Sequence, residues 1–188
     1  IDTYQFRCES LLIIAIYEGH ADIVEYLLKK GADPRTTGRF KDPALHLAAF
    51  AGNPKTVELL IKAGLSVNQK GVHGELPLHW IARLPNEGPY KRQCRYEDIA
   101  RILIDAGSEL NAKAQTAGNT IGCGVDGEGP IDPISPYLNN LKARRSNVQV
   151  QLWEPPALAF DVGDCPLHCA ARWGRIEIVK MLIEAGAQ

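Results

Sequence analysis

The chain has 188 residues, 45% of them hydrophobic and 23% charged, and carries a formal net charge of −1. This balance gives no global electrostatic case for nucleic acid or a membrane surface as partner. The longest uninterrupted apolar run, Leu11 to Tyr17, falls far short of a bilayer span. The five cysteines (Cys8, Cys94, Cys123, Cys165 and Cys169) are odd in number and read as free thiols in a reducing compartment. The expected location is therefore intracellular, the cytoplasm with the nucleus as the other compartment.

In chain order, the apolar run Leu11-Leu12-Ile13-Ile14 is broken at Gly19-His20, and Gly31 closes the helical spacing that follows. The pattern then returns in phase. Pro43-Ala44-Leu45-His46-Leu47-Ala48-Ala49 predicts a first helix, Gly52-Asn53-Pro54 breaks it, and a second helix runs from Thr56 until Gly64. Shifting by 33 residues places Ile13 at the position of His46 and His79 one unit further on. A fourth copy runs from Cys165-Pro166-Leu167-His168 to Ala185-Gly186. A short helix pair cannot bury its own apolar side, so in-phase copies predict a stack in which each pair covers the next.

These units resemble the ankyrin repeat, whose signature is a Thr-Pro-Leu-His-x-Ala-Ala helix, a Gly-His turn, a second helix and a Gly-Ala-Asp hairpin. Gly19-His20 with Gly31-Ala32-Asp33 carries the resemblance in copy one, and Leu45 to Ala49 in copy two. In copy three it is Pro77-Leu78-His79 with Asp105-Ala106-Gly107, and in copy four Pro166-Leu167-His168 with Glu184 to Ala187. The resemblance implies an all-α solenoid of stacked helix-turn-helix units with β-hairpin or loop connections. It also implies that His46, His79 and His168 are structural and bond the backbone of the neighbouring hairpin. The family's threonine partner is missing at Ser10, Pro43, Leu76 and Cys165. Trp80 stands where a core leucine is usual and is expected to be buried.

The whole chain reads as one domain, with repeats over about 5–37, 38–70, 71–113 and 160–188. Four units of 33 account for 132 of the 188 residues, and the 56 left over divide into 10 within the third unit and 46 between the third and fourth. The first insertion, 85–94, contains Pro85, Gly88 and Pro89 and predicts a protruding basic loop. The second, 114–159, is rich in glycine and proline at first. Ser135-Pro136 then predicts a helix start, and Val148 to Trp153 alternates like a short strand. Neither end of the array carries the polar face of a terminal cap, from which the natural protein is expected to continue on at least one side.

Several motifs invite chemistry and yield to plainer readings. Gly122-Cys123-Gly124-Val125-Asp126-Gly127 has the letters of a dinucleotide fingerprint but no following helix, because Glu128-Gly129-Pro130 comes next. Cys165, His168 and Cys169 have the residue types of a zinc site, yet His168 holds the same phase as His46 and His79. Cys94 lies among basic residues with no base fixed near it. No catalytic residue, metal or cofactor is expected. Leu103 to Asn111 matches the pattern that asparaginyl hydroxylases use on such repeats, while the plainer role of Asn111 is to tie its hairpin.

By the same resemblance, partner proteins bind the concave side through hairpin tips and the ends of the first helices. Carried over by position, the candidate contacts are Tyr17, Arg39, Phe40, Phe50, His73, Arg83, Arg172 and Trp173. Lys91 and Arg92 of the first insertion, with Arg95 just after it, are candidate loop contacts. The exposed aromatic and arginine content suits an interface. The function expected is a non-catalytic protein-interaction module, monomeric as a fragment of a longer chain, with a protein partner and neither nucleic acid nor membrane. The alternative is a targeting or substrate-recruiting segment of a larger enzyme or host-directed effector whose catalytic domain lies outside these residues.

Overall fold

The computed structural model describes residues 10–38, 41–84, 95–115 and 163–188. The helix expected after Ser135-Pro136, the strand expected over 148–153 and the loop over 85–90 lie outside them. Among the described residues are eight helices and no strand. They form four pairs: α1 (Leu11–Tyr17) with α2 (Ala21–Lys29), α3 (Ala44–Ala51) with α4 (Pro54–Lys62), α5 (Pro77–Arg83) with α6 (Tyr96–Asp105), and α7 (Pro166–Arg172) with α8 (Ile176–Glu184).

Local signals account for these boundaries. Gly52 ends α3 in the left-handed region at φ 72°, a conformation that an L side chain resists. Asn53 then starts α4, its Oδ1 accepting the N–H groups of Lys55 and Thr56 at 3.1 and 3.4 Å, with Pro54 in the first turn. The Asn53 amide also donates to the Gly19 carbonyl at 2.8 Å, so one side chain caps its own helix and ties the turn of the unit before.

Packing is by layer. α1, α3, α5 and α7 form one row and α2, α4, α6 and α8 the other, each helix touching its neighbours in the row and its own partner. The core runs continuously between the rows, through Ile16, Leu45, Leu47, Leu60, Leu78, Ile99 and Leu182, all without exposed surface. Ala48 and Ala49, equally buried, let α3 approach both flanking helices closely. Between the third and fourth units, Arg175 is buried at the start of α8. It pairs with Glu97 at 3.1 Å and lies over the Tyr96 ring, 5.7 Å from its centroid.

The loops joining successive units share one closing bond. Gly38 N–H donates to the Asp42 carbonyl at 2.9 Å, and Gly71 N–H to the Glu75 carbonyl at 2.7 Å, each across four residues. In the third loop Ala114 N–H donates to the Asp164 carbonyl at 2.9 Å, and Gly163 N–H returns a bond to the Ala114 carbonyl at 3.0 Å. That span is 50 residues, 46 more than in the other two, so the extra residues leave and re-enter the stack at one loop tip. α5 and α7 pack against each other like any other adjacent first helices.

Candidate functional site

Each first helix opens on an extended residue, at Ser10, Pro43, Leu76 and Cys165, and the third helical residue after it is Ile13, His46, His79 or His168. His46 Nε2 lies 3.1 Å from the Glu75 carbonyl. His79 Nε2 lies 3.1 Å from the Ala112 carbonyl and 3.2 Å from that of Asp164, on the two sides of the long third loop. Its Nδ1 accepts the Leu76 N–H at 3.1 Å, which places the ring proton on Nε2. Burial lowers both histidines to about 4, the bonded carbonyls only partly opposing it, so both rings are neutral at physiological pH. His46 differs from His79 at one atom. Its Nδ1 is buried with no hydrogen-bond partner, because Pro43 has no N–H where Leu76 has one.

His168 departs from the expectation. It is exposed, and its Nδ1 lies 2.8 Å from Cys165 Sγ rather than bonding a loop carbonyl. The carbonyls that hold His46 and His79 come from the loop after the next helix, and the corresponding position for His168 lies past Gln188. The missing threonines also find substitutes. Ser10 Oγ accepts the Ile13 N–H at 3.2 Å, and the Cys165 thiol stands at the same place against His168.

The candidate contact residues divide by environment. Tyr17 and Phe50 are half-buried and stacked, with ring centroids 5.9 Å apart and an 18° angle between planes. Phe50 meets Trp80 edge-on at 6.4 Å, and Trp80 is 1% exposed, as its core position requires. Phe50 is thus held by its neighbours in the stack. Trp173 is half-buried against the core, and exposed Arg172 pairs with Asp164 at 2.8 Å. His73 is half-buried at the second loop tip, its carbonyl accepting the Gln115 N–H at 2.8 Å. Arg95 is exposed and paired with Asp98. Arg39, Phe40, Lys91 and Arg92 lie outside the described residues.

Arg83 requires a correction. It shares the phase of Tyr17 and Phe50 but is only 3% exposed, an interior group and not an open contact. It lies close enough to His79 and Cys169 for its charge to bear on both. The reason is its place: α5 lies between α3 and α7, which flank it on both sides.

Sequence reasoning missed the buried carboxylates. Asp42, Glu75 and Asp164 are 1%, 0% and 7% exposed, each directly before a first helix. Glu75 Oε1 accepts the Trp80 indole N–H at 3.2 Å and Oε2 the His73 backbone N–H at 2.7 Å. An acid immediately ahead of each start residue was the available signal. Gly71 is small for the same reason, since a β-carbon there would stand 2.3 Å from Glu75 Oε1.

Of the chemical candidates, Cys94 and the motif over 122–127 lie outside the described residues. Cys169 is buried, and that burial pushes its thiol up to about 12, far from a nucleophilic thiolate. Among the described residues no group of three His, Cys, Asp or Glu side chains is placed to hold a metal. No helix of the described residues is long and apolar enough to cross a membrane. Asn68 donates to the Gly107 carbonyl at 3.0 Å and accepts the Glu109 N–H at 2.8 Å, and Asn111 repeats the tie by accepting the Gln188 N–H at 2.9 Å.

Stacked helix pairs, the second locked to the third and the third to the fourth by a buried histidine and a loop asparagine, define a repeat scaffold of the protein-interaction class. Profile comparison places three copies of the ankyrin repeat over residues 12–114 and one over 162–188, and the chain belongs to the ankyrin repeat family. It is similar to the nuclear factor NF-kappa-B p105 subunit of Gallus gallus, 28% identical over 190 residues, covering 99% of this chain and 17% of that protein. It is also similar to the RelA-associated inhibitor of Mus musculus, 31% identical over 110 residues (58% of this chain, 12% of the relative). Protein phosphatase 1 regulatory subunit 27 of Mus musculus is 34% identical over 98 residues, 52% of this chain and 51% of the relative. The chain thus spans between about a tenth and a half of the length of these relatives.

Proposed function

We propose that the chain is a non-catalytic, monomeric interaction module that grips a protein partner along its first-helix side and loop tips. The stacked, half-exposed Tyr17–Phe50 pair carries this reading. Two aromatic rings held rigid at a surface supply apolar contact area at little entropic cost. Trp173 and Arg172 extend the set along the same helix row, His73 belongs to a loop tip, and Arg39 and Phe40 join the set by their sequence phase alone. Lys91 and Arg92 in the first insertion, with Arg95 directly after it, give this stretch a basic character that suits an acidic stretch of the partner. The names of two relatives refer to RelA and to protein phosphatase 1, and only that class of relationship, protein with protein, is carried over. The unpaired thiols of Cys165 and Cys169 support a reducing, intracellular setting, cytoplasmic or nuclear.

A second reading rests on coverage. Because the relatives are longer than the chain, it also fits as the recruiting segment of a larger enzyme. The test of the first reading is affinity capture with the wild-type chain and with a Tyr17→Ala, Trp173→Ala variant whose melting curve shows a retained fold. Proteins bound by the wild type are expected to weaken at least tenfold on the variant, about 1.4 kcal/mol. Capture of the same proteins with unchanged affinity would refute the site.

A further inference from the structure

Each unit turns one side toward the unit before it, and the same positions do the packing. On the first helix the position is Leu47, Trp80 or Cys169, exposed by 0%, 1% and 2% in the second, third and fourth units. On the second helix it is Thr56, Ile99 or Ile178, all at 0%. The counterparts in the first unit are Ile14 and Ile23, and they are 41% and 50% exposed. Leu11 at 73% and Tyr26 at 60% stand three residues away on the same helix faces. The first unit therefore shows solvent a face of large apolar side chains at the positions its neighbours bury. Side chains scattered singly would need no explanation, but four on one helix pair do.

We infer that this face of α1 and α2 is a stacking surface for a further helix pair of the same kind, carried ahead of Ser10 by the same polypeptide. The surface continues an interface that the molecule already makes three times, α1 with α3, α3 with α5 and α5 with α7 in one row and the matching contacts in the other. To repeat the same stacking contact, a second copy of the chain would have to offer the outer side of α7 and α8, where His168 and Ala171 are exposed. Such a head-to-tail contact leaves a free face on each copy and continues into a ring or an open filament. A covalently joined unit ends the series, and its tether holds it at high effective concentration. The relatives, several times longer than this chain in two cases, leave room for such a unit.

The test is to read the full transcript and to express both its product and the 188-residue chain, each with and without Ile23→Glu. The transcript is expected to encode a helix pair ahead of Ile1, in phase 33 residues before α1 and α2. Ile23→Glu should leave the melting temperature of the short chain almost unchanged, since the side chain is half in water, and lower that of the long product markedly. A transcript with no such pair overturns the inference, and so does equal tolerance of the substitution in both proteins. Sedimentation showing that the short chain self-associates through this face, with Ile23→Glu abolishing it and the long product lacking the pair, would assign the surface to a second copy.

Discussion

Acidification should unfold this stack through two buried rings. His46 and His79 both fall from an ordinary 6.5 to about 4 in the folded protein, chiefly because burial disfavours the imidazolium. The sign follows directly. Between these values the unfolded chain binds more protons than the folded one, so stability is fully present above about pH 6.5 and is lost as the pH falls toward 4. At pH 5 linkage gives a loss of about 2 kcal/mol per histidine, and about 4 kcal/mol for the pair if they act independently. The structure shows what the proton meets: at His79 the Leu76 N–H points at Nδ1, and at His46 the same nitrogen is buried with no acceptor in reach. Urea unfolding followed by circular dichroism at pH 7.5 and pH 5 measures the effect, and the midpoint should fall by about 2 M for a slope of about 2 kcal/mol per M. A His46→Gln, His79→Gln variant keeps an N–H donor near each Nε2 position, is less stable throughout, and should lose most of the pH dependence. Equal midpoints for the wild type at both pH values would refute the argument, as would a double variant with an undiminished slope.

Three further outcomes follow from single residues. Pro43→Thr supplies the N–H and hydroxyl that His46 Nδ1 lacks, and should stabilise by about 1 kcal/mol after the lost rigidity of proline is deducted, read as a higher melting temperature. Glu75→Gln replaces an oxygen that accepts a buried N–H with an NH2 group. It should cost about 1–3 kcal/mol with a red shift in tryptophan emission as the Trp80 anchor loosens, and a neutral result would mean that the carboxylate is not needed there. Gly64→Ala forces a side chain into φ 91° at the end of α4 and should lower stability by about 1–2 kcal/mol, although open space surrounds the new methyl group.

The repeat was legible because its signals are local. A glycine that ends a helix, an asparagine that starts one, and apolar residues at helical spacing act within a few residues, so a phase of 33 reveals them wherever they recur. Equal phase also pointed to the structural roles of His46 and His79, whose partners come from the next loop. Environment does not follow from phase. Tyr17, Phe50, Arg83 and Arg172 occupy one repeated position, yet the first two stack on each other, the third is buried and the fourth pairs with Asp164 at the surface. His168 likewise shares a phase with two buried rings and stands exposed.

The order of the helices, their ends and their in-phase stacking were determined by the sequence alone, because a helix pair too thin to bury its own apolar side admits few other arrangements. Tertiary structure alone decided that Glu75 clamps Trp80 and that the long third loop starts and finishes on one pair of backbone bonds under His79. It also decided that the outer face of α1 and α2 keeps its apolar side chains in water. Those facts depend on what lies across a gap from each side chain, and a linear pattern carries no record of that distance.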